Sequence, residues 1–214
     1  MATTVANILT AVGYRLFTDP AQTIATSSHP SQAECIQWLN EDIKWLLGIC
    51  AEEGSELGRT TGSITTTAST ASYNDFIADL YTPAPSGWVL KTNSRNRIKL
   101  VTEEASLDYN PATTSEPEAF YIDGSNNVIF LNTPDDTYTV KIPYWQIQTA
   151  LTITTNTVPF LGLFDNLLIE TMVIRAQNRE EYDLSLEMKW MSFLTDKARR
   201  VIQMRKNPNI EVTV

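Results

Sequence analysis

The sequence predicts an α+β fold: a helical bundle body of about four helices, an inserted antiparallel β-barrel or sandwich domain, and an extended C-terminal tail. Two observations carry this reading. Apolar residues recur with the helical period near both ends of the chain, whereas residues 58–156 alternate with a period of two between turn signals. The segments so defined are 1–57 (N-terminal helices), 58–156 (β insert), 157–206 (a closing helical hairpin) and 207–214 (the tail).

The first helix is expected over residues 4–17, with Val5, Ile8, Leu9, Val12 and Leu16 on one face and Asp19-Pro20 as its stop. The second opens with Ser31 and Glu34 in capping-box register and runs to Gly54. Ile36, Leu39, Ile43, Leu46, Leu47 and Cys50 make one apolar stripe on it. Trp38, Trp45 and Ile49 make another, roughly 120° away at about 100° per residue. That second stripe needs a cover, either another helix of the same chain or a neighbouring subunit. Asp42 falls between the stripes. It either accepts an indole N–H bond or reaches water at the rim, or else it joins an inter-subunit ion pair, because a buried carboxylate needs a partner. Trp38, Asp42, Trp45 and Ile49 are therefore candidates for a subunit interface.

In the insert, SITTT, DFIADLY, GWVLKT and RIKLV read as strands separated by Pro, Gly, Ser and Asn. FYIDGSNNVIFLNTPDDTYTVKIPYW reads as an antiparallel meander of three strands, the last alternating Tyr138, Val140, Ile142 and Tyr144 with Thr139, Lys141, Pro143 and Trp145. The aromatic residues of such strands pack into a core; exposed instead, Trp88, Tyr109, Tyr121, Tyr144 and Trp145 would suit a carbohydrate- or ligand-binding module. LFDNLLIETMVIRAQNREEY and LSLEMKWMSFLTDKARRVIQMR form the closing hairpin, broken near Asp183. Its last helix is expected to turn Leu184, Met188, Met191, Leu194, Ala198, Val201 and Ile202 toward the core. The tail, NPNIEVTV, alternates like a strand but has no neighbour in sequence to pair with, which suits strand addition to another protein or plain disorder.

With 43% hydrophobic and 19% charged residues the chain can bury a core, and its net charge of −9 argues against a protein that grips bare nucleic acid. MATTVANILTAVGYRLF has no basic start and no continuous apolar run, so no signal peptide is expected, and no stretch reaches the length of a membrane span. Cys35 and Cys50 stand about 22 Å apart along one helix, too far for a disulfide, and read as buried free thiols. His29, in the loop TSSHPS, reads as an exposed loop residue. No zinc spacing, phosphate loop, nucleophile elbow or HExxH segment is present. The acidic pairs Glu52-Glu53, Glu103-Glu104, Asp135-Asp136 and Glu180-Glu181 point their side chains apart and read as solvated charges. No catalytic residue, metal site or cofactor is expected.

The last helix ends in Lys197, Arg199, Arg200, Arg205 and Lys206, which either complement its dipole or dock an acidic partner together with Ile210, Val212 and Val214. The order of elements, with QWLNEDIKWLL near the start and FYIDGSNNVIFLNTPDDTYTVKIPYW followed by ALTITTNTVPF and a helix, resembles the head-to-tail adaptor (neck, or connector) proteins of tailed bacteriophages. The pattern departs from that family at SEPEAFY, which lacks a glycine shortly before the proline. The resemblance implies a structural virion protein, made in the host cytoplasm and placed in the neck. It implies a ring, commonly of twelve subunits, beneath the portal, with C-terminal segments docked on the portal through Arg199, Arg200, Arg205, Lys206, Ile210, Val212 and Val214. Tail or nozzle proteins would bind the opposite side, DNA would pass through the lumen without sequence-specific binding, and no membrane would be involved. A tail-completion or other neck protein is the nearest alternative, and a ligand-binding β module a more distant one.

Overall fold

The computed structural model describes residues 3–17, 22–25, 30–74, 79–90, 95–110, 112–178 and 184–206, with backbone alone for 184–187. In chain order the elements are α1 (Val5–Leu16), α2 (Gln32–Glu52), β1 (Arg59–Thr65), β2 (Ser72–Tyr73), β3 (Leu80–Pro83), β4 (Ser86–Leu90) and β5 (Arg95–Leu100). Then come α3 (Glu103–Ser106), β6 (Ala119–Ile122), β7 (Val128–Leu131), β8 (Thr139–Gln146), α4 (Asp165–Asn178) and α5 (Leu184–Lys206). They form two compact units: a helical unit of Met1–Gly58 with Gln148–Val214, and a β unit of Arg59–Ile147. The class is α+β.

In the helical unit, α1 starts at Thr4, whose hydroxyl accepts from the Asn7 N–H, and buries Val5, Ile8, Leu9 and Val12. Its free first-turn donors are taken by a loop: Val5 N–H bonds to the Asn156 carbonyl and Ala6 N–H to that of Thr154. Asn40 of α2 clasps the same loop, donating to the Leu151 carbonyl at 2.9 Å and accepting from its N–H at 2.8 Å. These bonds place residues 148–156 with the helices, although their threonine-rich sequence reads as sheet. The capping box of α2 forms as expected, Glu34 accepting from the Ser31 N–H and Ser31 from the Glu34 N–H. At its other end Gly54, at φ +59°, makes a Schellman turn, with Ser55 N–H bonded to Cys50 and Gly54 N–H to Ala51. Leu39, Leu46, Leu47, Phe164, Leu168, Met172, Leu194 and Ile202 are fully buried in this unit. Cys35 and Cys50 are buried free thiols, and burial pushes the Cys50 thiol up to about 12, which leaves it inert as a nucleophile.

The β unit is a single open, curled sheet, a half-barrel rather than two packed layers. Its order is β1-β8-β4-β5-β6-β7-β2, with β3 also paired to β8. Two features depart from the sequence expectation. The three-strand meander is not one: β6 and β7 form a hairpin, but β7 then pairs with β2 and β8 crosses to lie between β1 and β4. Asn132, at φ +60°, turns the chain away, and Thr66 at the end of β1 captures the start of β8 by accepting from the Tyr138 N–H at 2.7 Å. The sheet is also not wholly antiparallel, since β5 and β6 run parallel, joined by the crossover containing α3. Ile64, Val89, Ile98, Phe120, Val128, Phe130, Val140 and Ile142 fill the concave side. Gly87 permits the approach of β4 to β8, because a Cβ there would stand 2.7 Å from the Lys141 carbonyl oxygen.

Candidate interaction surfaces

Asp42 organises the joint between α2 and α4. It is wholly buried, and α4 supplies both of its partners from positions four apart, which share one helix face. The Thr171 hydroxyl donates to Oδ2 at 2.6 Å, and Arg175 Nη2 donates to Oδ1 at 2.8 Å. Arg175 Nη1 reaches Glu41 Oε2 at 2.8 Å, so one guanidinium bridges adjacent carboxylates. Asp42 thus takes its cation from its own chain, and neither an indole nor a neighbouring subunit is needed to satisfy it. Burial pushes its carboxyl up to about 6, against the pull of Arg175 and the Thr171 bond.

That shift gives a pH signature. Because the folded carboxyl ionises near 6 and the unfolded one near 3.8, the folded state holds a proton that the unfolded state has released between those values. The associated stability is fully present below about pH 4 and is lost as pH rises through about 6, on the order of 2–3 kcal/mol in all. Asp42→Asn keeps the shape and removes the titration. The stability difference between wild type and variant, followed by urea melts, is expected to fall across this window and to be flat above pH 7. A difference independent of pH from 4 to 7 would contradict it.

The second stripe of α2 is largely covered within the chain. Ile49 is 4% exposed, while Trp38 and Trp45 are half-buried and keep part of their surface outward. Of the four interface candidates, only the two tryptophans retain surface for a partner.

The basic end of α5 divides in two. Arg199 lies 3.2 Å from Glu52 and 3.4 Å from Glu53, and Lys206 donates to the Glu53 carbonyl. Acids at the C-terminus of α2 oppose its dipole, and these two cations offset them. Lys197 pairs with Glu170 of α4 at 2.7 Å. Arg199 and Lys206 thus tie α5 to α2, although both are docking candidates by sequence. Arg200 and Arg205 are exposed and form no ion pair with a described residue. Ile210, Val212, Val214 and His29 lie outside the described residues.

An apolar ridge on α5 is the surface that the sequence reading missed. Leu194, Ala198 and Ile202 are buried as expected, but Met188 is 73% exposed instead of facing the core. Trp190, Phe193 and Met204 are exposed as well, with the Trp190 and Phe193 rings edge to face at 5.9 Å. The signal was present in part: Trp190, Phe193, Val201 and Met204 fall on one stripe at helical spacing, interrupted at its centre by Lys197. Large apolar groups placed side by side on a surface mark an interaction site more than scattered ones do.

In the β unit an open cleft of about 350 Å³ runs past Leu107, Tyr109, Tyr121, Ile129 and Leu131. Among the described residues its lining carries no charged side chain, and it offers apolar contact with a few hydroxyl and amide groups. Of the aromatic ligand-binding candidates Tyr109 and Tyr121 line it, Trp88 is half-buried elsewhere, and Tyr144 and Trp145 are buried. Among the described residues no three His, Cys, Asp or Glu side chains are grouped to hold a metal, and no helix is long and apolar enough to cross a membrane.

No curated protein matches the chain. A family model described as SU10 adaptor protein matches residues 3–211, running from the residue before the α1 cap, through the whole β insert, to beyond the last turn of α5. A match of this length takes in the split helical unit and the sheet inside it together, and the chain belongs to the SU10 adaptor protein family, a family of phage head-to-tail adaptors.

Proposed function

We propose that the protein forms a ring beneath the portal of a phage virion, joins the capsid vertex to the tail and lets DNA pass through its lumen. The observation that carries this is the family match over nearly the whole chain. Twelve subunits is the number its resemblance to neck adaptors implies. The surfaces are consistent with a ring. The helical unit exposes two unlike apolar areas, the Trp190–Phe193 ridge of α5 and the outer edges of Trp38 and Trp45 on α2. Unlike patches meeting head to tail generate rings where the rotation between subunits closes, whereas a self-complementary patch stops at a dimer. Arg200 and Arg205 with Ile210, Val212 and Val214 form the portal-docking end, and tail or nozzle proteins occupy the other side. The role is structural, without catalysis or cofactor.

Mass measurement and negative-stain imaging, of the chain alone and mixed with its portal protein, test this reading. Ring-shaped particles containing both proteins are expected, and a chain that never joins a portal assembly would sink it. Recovery with tail-tube protein instead would favour a tail-completion role. Removing residues 207–214 is expected to leave folding intact and to weaken portal attachment at least tenfold. Unchanged portal affinity of the truncated chain would remove the docking role from the tail.

A further inference from the structure

The sign of the charge reverses on one face of the β unit. The chain carries 25 acids against 16 Lys and Arg, yet none of those acids falls in the neighbouring strands β1, β8, β4 and β5. Register places Lys141 of β8 and Arg97 of β5 directly opposite Trp88 of β4, one on each side, so the three side chains share a face. Arg95 and Lys99 stand two residues either side of Arg97 and share it too. All four cations are exposed and Trp88 is half-buried, while Ile98, Val89 and Val140 fill the opposite face at 0% exposure. None of the four forms an ion pair with a described residue. Ser63, opposite Lys141, and Thr65 add exposed hydroxyls.

We propose that this convex face of the sheet contacts the phosphate backbone of duplex DNA without reading its sequence. The cations of β5 repeat every two residues, roughly 6.7 Å along the strand, and Lys141 lies roughly 9.6 Å across from Arg97. A polyanion of regular spacing can meet several of them together. A folded acidic protein surface lacks that regular charge spacing. Arginine, lysine and hydroxyl groups on a face without base-reading projections position a backbone and specify no sequence. The net charge of −9 keeps the contact local and weak, as DNA moving past requires. The inference deepens the adaptor reading and rests on it in taking duplex DNA as the polyanion within reach.

The test is binding of a short duplex of random sequence to the full chain, by fluorescence anisotropy, starting at about 50 mM salt where phosphate contacts are strongest. The combined variant Arg95→Gln, Arg97→Gln, Lys99→Gln, Lys141→Gln changes only exposed side chains, and its melting curve checks the fold. Arg97→Gln with Lys141→Gln is the smaller variant. Wild type is expected to bind with a log–log salt slope of about −3 to −4, as four phosphate contacts give. The fourfold variant is expected to lose at least tenfold in affinity and most of that slope, and the pair an intermediate amount. No wild-type binding at low salt would overturn the proposal, as would equal binding by the fourfold variant. Equal displacement of the duplex by polyglutamate would also overturn it, assigning the face to an acidic protein. A chain that joins the portal assembly but fails these tests leaves the adaptor reading standing. One that passes them and never joins the portal separates the two the other way.

Discussion

Arg175→Met is expected to lower the stability of the helical unit by about 3–5 kcal/mol at pH 7.5, read from urea unfolding. The size follows from what is left behind. Asp42 has no exposed surface, so without the guanidinium it keeps only the Thr171 hydroxyl and must either stay charged in a dry site or take up a proton against the solution pH, both at a cost. Glu41, whose side chain is half-exposed, loses little when its share of Arg175 is removed. Two further results distinguish a buried unpaired charge from lost packing. The loss should shrink at pH 5, where Asp42 takes up a proton instead of remaining ionised. Adding Asp42→Asn to Arg175→Met should recover much of the loss, because a neutral amide tolerates the site better than a lone carboxylate. A loss under about 1 kcal/mol, or one that the second substitution deepens additively, would mean that Asp42 is satisfied by something other than Arg175.

The Asp42 node shows where a single sequence stops being readable. Periodicity records that a residue is covered, not what covers it. The two stripes of α2 correctly announce a helix buried over most of its circumference, and Asp42 stands between them as a carboxylate in need of a cation. Arg175 lies 133 positions further on, and nothing local in either segment names the other. The sheet repeats the lesson. The alternation of Val140, Ile142 and Tyr144 gives the strand and its inner face, yet β8 pairs with β1 and β4 instead of its sequence neighbour β7. Its register depends on Thr66, 72 residues away. The basic end of α5 was legible as a cluster, but one cation tying α2 down and another with no ion pair among the described residues look alike in sequence, as Arg199 and Arg200 do. The face bearing Arg95, Arg97, Lys99 and Lys141 could be seen only in part. The alternation along β5 was in the sequence, but Lys141 joins it only through the pairing of β4 with both strands.

Replacing Trp190 and Phe193 together with alanine is expected to leave the monomer intact and to abolish assembly. Phe193 is 56% exposed and Trp190 42%, and part of what covers each is the other ring, so their removal should cost the monomer about 1–2 kcal/mol, short of a core truncation. At a subunit contact the same rings would be buried, and aromatic anchors of that kind cost about 2 kcal/mol or more each when truncated. The pair then represents roughly 4 kcal/mol, or about a thousandfold in the association constant of each contact. In the proposed ring every contact must hold for closure, so mass measurement in the presence of portal protein should show the shortfall as missing particles instead of partial rings. Leu194→Ala, on the buried side of the same helix, is the comparison. It should cost the monomer about 2–5 kcal/mol and, under conditions where it still folds, assemble normally. If the double variant unfolds as readily as Leu194→Ala, the ridge is packed within the subunit. If it folds and assembles like wild type, the contact between subunits lies elsewhere, and the outer edges of Trp38 and Trp45 become the place to look.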